Sequence, residues 1–283
     1  MKKTQVNQNL SIVIKSLVLT IIAIIALQLV LSSMRSIGLN ILNDSLLGNV
    51  LLEATIFIVQ LIIIRKHSKG TLFSSIGLNK DKAIGKSIFK GVTIGFIGTL
   101  LIYLWIFLSR IAFFQGTSFK YYDSKIVLFF VVSMFIRAFF ASVCEEVLFR
   151  GVLLNYLGRY KGKMFGLIVS SLIFMVFHCT RYNSLYQLSS VLLGGITLGY
   201  LYIKTKSLYM SIGLHFATDF FMNLIGPKSQ PSVFTFEISS KFSIDYLTQY
   251  LFILVSITYS LLLLILFLKD RKHSKKSSKL RHF

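Results

Sequence analysis

Glu145 and Glu146 are adjacent carboxylates inside an apolar run, and Arg150 follows the second by four residues. Two histidines, His178 and His215, stand in later apolar runs, with Asp219 four residues after His215. These side chains move protons, hold water or bind a metal ion. Ionisable groups at membrane depth are costly, so they face a bundle interior, pair with one another and mark function. Helical phase sorts them. Glu146 and Arg150 share a face and form an ion pair that neutralises both in an apolar setting, a structural support beside the site. Glu145 is turned by about 100° from Glu146, which leaves it outside that pair and available as a general base. His215 and Asp219 also share a face: Asp219 orients the imidazole, or both contact one ligand. Phe174 puts an aromatic ring one turn before His178. Cys144 and Cys179 each adjoin a candidate, but apolar surroundings disfavour the thiolate that a nucleophile needs. Nor do two cysteines make a disulfide framework.

The elements that must position these groups are helices in a bilayer. The chain has 283 residues, 54% of them hydrophobic and 14% charged, with a mean hydropathy of +0.72. That excludes an ordinary soluble domain. Apolar runs near 12–34, 46–64, 91–108, 126–156, 164–180, 188–203, 207–225 and 247–268 predict about eight transmembrane helices: an all-α, polytopic membrane bundle, read as one integral membrane domain over 1–283. Lys2 and Lys3 resemble a signal-peptide start, yet no clean small-x-small site follows Leu31, so the first run is read as an uncleaved anchor. The net charge of +21 reflects basic cytoplasmic loops and not nucleic-acid binding. With the N-terminus inside, 22 of the 31 Lys and Arg fall on the inner side, seven on the outer side, and Arg137 and Arg150 within a span. Both termini are therefore expected in the cytoplasm. The stretch 269–283 is read as a basic, solvated and irregular tail near anionic lipid.

Depth follows from arithmetic. At ~1.5 Å of rise per residue, Glu145 lies roughly 21 Å from Arg159, His178 roughly 22 Å from Lys163, and Asp219 roughly 20 Å from Lys206. If the three helices are neighbours, their polar groups form one site inside the membrane. Gly91 with Gly95 and Gly195 with Gly199 allow close helix approach. Glu53 and Gln60, seven apart on the second span, mark an interior face, and Glu53 is assigned to that face rather than to catalysis.

The run Glu145-Glu146-Val147-Leu148-Phe149-Arg150 resembles the E-E-x-x-x-R signature of the CPBP intramembrane proteases, also called the Abi or CAAX-protease-like family. Phe174 to His178 resembles its F-x-x-x-H motif, and His215 to Asp219 its H-x-x-x-N/D motif. The resemblance covers 126–225 and implies a CAAX-protease-like catalytic core there. It implies that Glu145 and His178 activate water, while His215 and Asp219 stabilise the oxyanion or join in binding a metal. Asp219 stands where many members have Asn. An Asp donates a hydrogen bond only when protonated, so the oxyanion role and the orienting role both stay open. Glu145, His178, His215 and Asp219 would also suit a divalent metal such as Zn2+; the spacing accommodates that and a metal-free, glutamate-dependent mechanism alike.

Three functions are compatible with these residues: an intramembrane endopeptidase, a bacteriocin self-immunity or binding protein of the same fold, and a proton-coupled transporter. The intact triple motif favours the first, and the lack of evident internal repeats disfavours the third. The Lys-, Ile-, Asn- and Ser-rich composition resembles a low-GC Gram-positive bacterium, where prenylated proteins are not expected. The expected partners are therefore membrane lipids and a peptide or lipoprotein-like substrate, with no nucleic acid and no assigned oligomeric state. Reporter fusions after Arg35 and Arg110 are expected to read as outside, and fusions after Lys69 and Lys206 as inside. An odd number of crossings in such a series would overturn the depth arithmetic.

Overall fold

The computed structural model describes residues 3–38, 46–67, 73–79 and 83–279. Among them, the helices are α1 (Lys3–Ser36), α2 (Leu46–His67), α3 (Ile84–Leu108), α4 (Ser124–Glu146), α5 (Asn155–Lys161), α6 (Lys163–Phe177), α7 (Leu185–Thr205), α8 (Tyr209–Asn223) and α9 (Ile244–Lys279). Between α4 and α5 the chain stays helical but widens to π geometry over Val147–Leu154, so α4 to α5 form one column of 38 residues. The eight apolar runs thus correspond to eight helical columns in a membrane bundle. By length and composition, five can cross a membrane: Asn7–Ser36, Leu46–His67, Ile84–Leu108, Ser124–Lys161 and Ile244–Arg271. The remaining columns, α6, α7 and α8, are shorter or more polar. They pack against other helices of the bundle, so they need not be apolar all round.

Local sequence sets the helix ends. Asp123 caps α4, its carboxylate accepting from the Lys125 amide at 2.7 Å. A reciprocal Ser184–Gln187 capping box starts α7. Gly162, at φ +99°, makes the turn between α5 and α6.

α8, which carries His215 and Asp219, is clasped by α3 and α4. Small residues allow this. A Cβ on Gly91 would sit 2.3 Å from the Met210 carbonyl oxygen, and one on Gly213 would sit 2.4 Å from that of Ile88. No such contact is tolerated, so the two backbones touch only because side chains are missing. α1 is pinned to α2 by a buried polar knot, in which Ser16 donates to Gln60 Oε1 and Gln60 Nε2 donates to Thr20 at 2.8 Å.

Two findings depart from the sequence reading. The α3–α4 and α8–α9 connections meet in a small sheet of β1 (Ala112–Thr117), β2 (Ile225–Pro227) and β3 (Phe234–Ile238), in the order β1-β3-β2. β1 and β3 are antiparallel, with a register shift between Phe114 and Gly116, and β2 runs parallel to β3. Aromatic and β-branched residues at Phe113, Phe114, Phe234, Thr235, Phe236 and Ile238 suit strands, but the segments are short beside the apolar helices. Tyr103 ties the sheet to the bundle by donating to the carbonyls of Met222 and Ile225, both at 3.0 Å. Secondly, α9 continues to Lys279, so most of 269–283 is helical rather than irregular. No Gly or Pro interrupts that stretch, and Asp270 anchors its start by pairing with Lys204 and accepting from the Tyr200 hydroxyl. Lys2, Lys69, Lys80, Lys82 and residues 280–283 lie outside the described residues.

Replacing Gly91 or Gly213 with Leu is expected to push α3 off α8, with an overpacking cost of ~1–3 kcal/mol or more. A lower melting temperature in detergent, with the other helices unchanged in proteolytic protection, is the outcome to look for.

Candidate active site

The centre of the site is an ion pair in the dry interior. Glu146 and Arg150 are 0% and 1% exposed, and Arg150 Nη1 donates to Glu146 Oε1 at 2.7 Å. Arg150 also donates to the Gly195 carbonyl on α7 at 3.2 Å, and its guanidinium lies 4.6 Å from the centre of the Phe174 ring. One charge is thereby shared among a carboxylate, a carbonyl and an aromatic face.

Glu146 does more than support the site. Its Oε1 also accepts from Nδ1 of His215 at 3.0 Å. A carboxylate only accepts, so the hydrogen sits on Nδ1 and the ring is held in one orientation. This corrects the expectation that Glu146 serves structure alone, and it gives the nearer orienting bond to Glu146 rather than to Asp219. His215 Nε2 then faces Asp219 Oδ2 at 3.5 Å and Glu145 Oε2 at 3.8 Å. Those separations exceed ordinary hydrogen bonds. Glu145 is largely enclosed, whereas the Asp219 side chain is 43% exposed and marks the open edge of the cluster. The rotation between consecutive helical residues explains how two neighbouring glutamates reach opposite nitrogens of one ring.

His178 ends α6. Its Nδ1 lies 2.9 Å from the Phe174 carbonyl oxygen, which can only accept, so Nδ1 carries hydrogen, and in the neutral ring Nε2 is the acceptor. Phe174 stands between the two histidines, with ring centres 4.5 Å from His178 and 6.2 Å from His215. Among the described residues, no hydrogen bond or ion pair joins His178 to Glu145, His215 or Asp219. Instead it stacks on Tyr182, with ring centres 6.1 Å apart and planes within 11°.

The structure adds three residues to the expected set. Glu53, on α2, has a buried side-chain oxygen, Oε2, with no hydrogen-bond partner among the described residues. Tyr182 stacks on His178. Tyr259, on α9, donates to the Thr218 hydroxyl at 3.4 Å behind Asp219. Only the first had a usable signal: the chain has four glutamates, and Glu53 is one of three in apolar runs. Among the described residues, no three His, Cys, Asp or Glu side chains are grouped so as to hold a metal ion. The donors as placed therefore do not fit one, and no step below is routed through a metal.

Residues 127–221 match the family model of the type II CAAX prenyl endopeptidase Rce1-like proteins. All three motifs lie inside that segment. The match supports assignment to the CPBP family of CAAX proteases and, in general terms, a multi-pass intramembrane protease of the CAAX type. No curated protein matches the chain.

Truncating one partner of a buried pair costs ~3–5 kcal/mol, so Arg150→Ala is expected to reduce folded protein sharply in membranes. The double replacement Glu146→Leu with Arg150→Met should recover yield without recovering turnover. Normal yield of Arg150→Ala with turnover selectively lost would place Arg150 on the substrate instead.

Proposed function

We propose that the protein is an intramembrane endopeptidase that hydrolyses a peptide bond of a membrane-associated peptide or lipoprotein-like substrate, using water activated at Glu145. The observation that carries this reading is the convergence of Glu145 and Asp219 on Nε2 of a histidine whose other nitrogen is fixed by Glu146. Glu145 takes a proton from water as the oxygen attacks the carbonyl carbon. It returns that proton to the leaving amine as the C–N bond breaks. His215 donates from Nε2 to the oxyanion, held in place through Nδ1 by the Glu146–Arg150 pair. His178 offers Nε2 as the second acceptor for the attacking water. Asp219, at the open edge, sets the hydrogen on His215 Nε2 and faces the incoming chain. The mechanism is metal-free, both termini are cytoplasmic, and lipid surrounds the bundle.

The test is turnover of a membrane-anchored fluorogenic peptide by the purified protein in liposomes. Glu145→Gln and His178→Ala should each lower kcat by about 10²- to 10⁴-fold while leaving the protein folded. Their double variant should be hardly worse than either single one, because members of one catalytic unit are strongly non-additive. Asp219→Asn should be damaging if its charge orients His215. Retained or raised activity there would assign it to the oxyanion instead. A chelator series should leave turnover intact, and activity lost to chelation and restored by zinc would overturn the metal-free mechanism. Undiminished cleavage by Glu145→Gln would sink the proposal as a whole.

A further inference from the structure

His178 stands at the C-cap of α6, its amide donating to the Met175 carbonyl, where no following helical turn confines its side chain. The Nδ1 bond to Phe174 fixes one point of the imidazole but leaves its plane free to swing. The lone pair of Nε2 in the neutral ring lies in that plane, so the direction in which it accepts a hydrogen is set by whatever holds the plane. Phe174 meets the ring at 54° and does not define it. Tyr182 does, lying within 11° of parallel. The turn after α6 brings it there: the amides of Arg181 and Tyr182 both donate to the His178 carbonyl, at 3.0 and 2.9 Å. Tyr182 is held in turn from α9. Phe252 packs against it with ring centres 5.3 Å apart and planes at 69°, and the Arg181 guanidinium lies 5.4 Å from its ring centre. All these side-chain contacts are made by the ring of Tyr182, so an aromatic face is what the position supplies. α9 carries none of the three motifs and lies beyond the matched segment.

We propose that Tyr182 is a positioning residue of the peptidase centre: its ring, backed by Phe252, sets the plane of the His178 imidazole and so the direction in which Nε2 accepts a hydrogen of the attacking water. Tyr182 takes no part in the bond changes and acts only through His178. A water held by Glu145 from one side meets a fixed acceptor on the other, and reacting atoms held in one geometry react faster than the same atoms free to wander. This assignment rests on the peptidase reading given above, and it makes the centre depend on α9 as well as on α4, α6 and α8.

The test uses the full chain, read by turnover of the membrane-anchored peptide and by the ring-proton NMR signal of His178 in histidine-labelled protein, assigned by its loss in His178→Ala. Tyr182→Leu should lower kcat by about tenfold or more with KM changed by less than about twofold, and it should displace the His178 signal, because the ring current of the stacked phenol is gone. Tyr182→Phe should recover most of the turnover and restore the signal. Phe252→Leu should give a smaller loss in the same direction, and none in a Tyr182→Leu background. With His178→Ala already in place, Tyr182→Leu should cost nothing further, whereas a purely structural Tyr182 would cost the same factor in both backgrounds. That result, wild-type kcat in Tyr182→Leu, or a Tyr182→Phe variant as damaged as Tyr182→Leu would overturn the proposal. Should Tyr182→Leu not fold, Phe252→Leu carries the test, and wild-type kcat with an unmoved His178 signal there overturns it. If the wild-type protein cleaves none of the peptides, the peptidase reading fails separately. The NMR signal then decides alone: displacement by Leu and restoration by Phe support the clamp on His178, and an unmoved signal overturns it.

Discussion

The polar cluster of the candidate site depends on the bond between Arg150 and Glu146. A guanidinium almost wholly removed from solvent survives in an apolar bundle only when its charge is met by a carboxylate and its remaining donors find acceptors. Glu146 supplies the first and Gly195 one of the second. The Phe174 ring closes another side. Once that pair is fixed, Glu146 can fix His215, and through His215 the positions of Glu145 and Asp219 become defined relative to one another. The order of dependence runs from a structural bond to a chemical one, both made by the same carboxylate oxygen.

The helical frame serves that arrangement by bringing backbones unusually close. α8 carries the histidine on one face, while its glycine-lined face lies directly on α3. The widened helical segment from Val147 to Leu154 is buried throughout. Wide turns of this kind recur at functional sites, where one extra residue per turn redirects side chains. Here the wide segment begins immediately after Glu146 and contains Arg150, so the pair spans its start.

The sequence made the membrane bundle, its helical columns and the polar cluster readable, for physical reasons. Apolar runs of spanning length are unambiguous, and ionisable groups inside them are rare enough to stand out. Helical phase separated Glu145 from Glu146 correctly, but it could not show that one oxygen of Glu146 serves two partners, because that bond crosses from α4 to α8. His178 illustrates the same limit. Its span and motif were plain, whereas the Phe174 ring between it and His215 depends on how α6 packs. Glu53 looked like an interior residue of its helix, and its Oε2 is buried. The short sheet escaped because its strands of three to six residues carry too little periodicity to compete with loop composition.

The turn at Ser74 to Gly77 has no chemistry of its own, yet it touches both arms of the site. The Gly77 carbonyl accepts from the Leu208 amide just before α8, and the Ser75 carbonyl accepts from Asn155 just below the wide segment. Ile76, between them, is fully buried and lies under Gly151. One small turn at the foot of the bundle thus holds the lower ends of the two legs whose upper parts carry Glu146 and His215. The spacing of the reacting groups is therefore set from below as well as from within, like the opening of a pair of tongs set by its pivot.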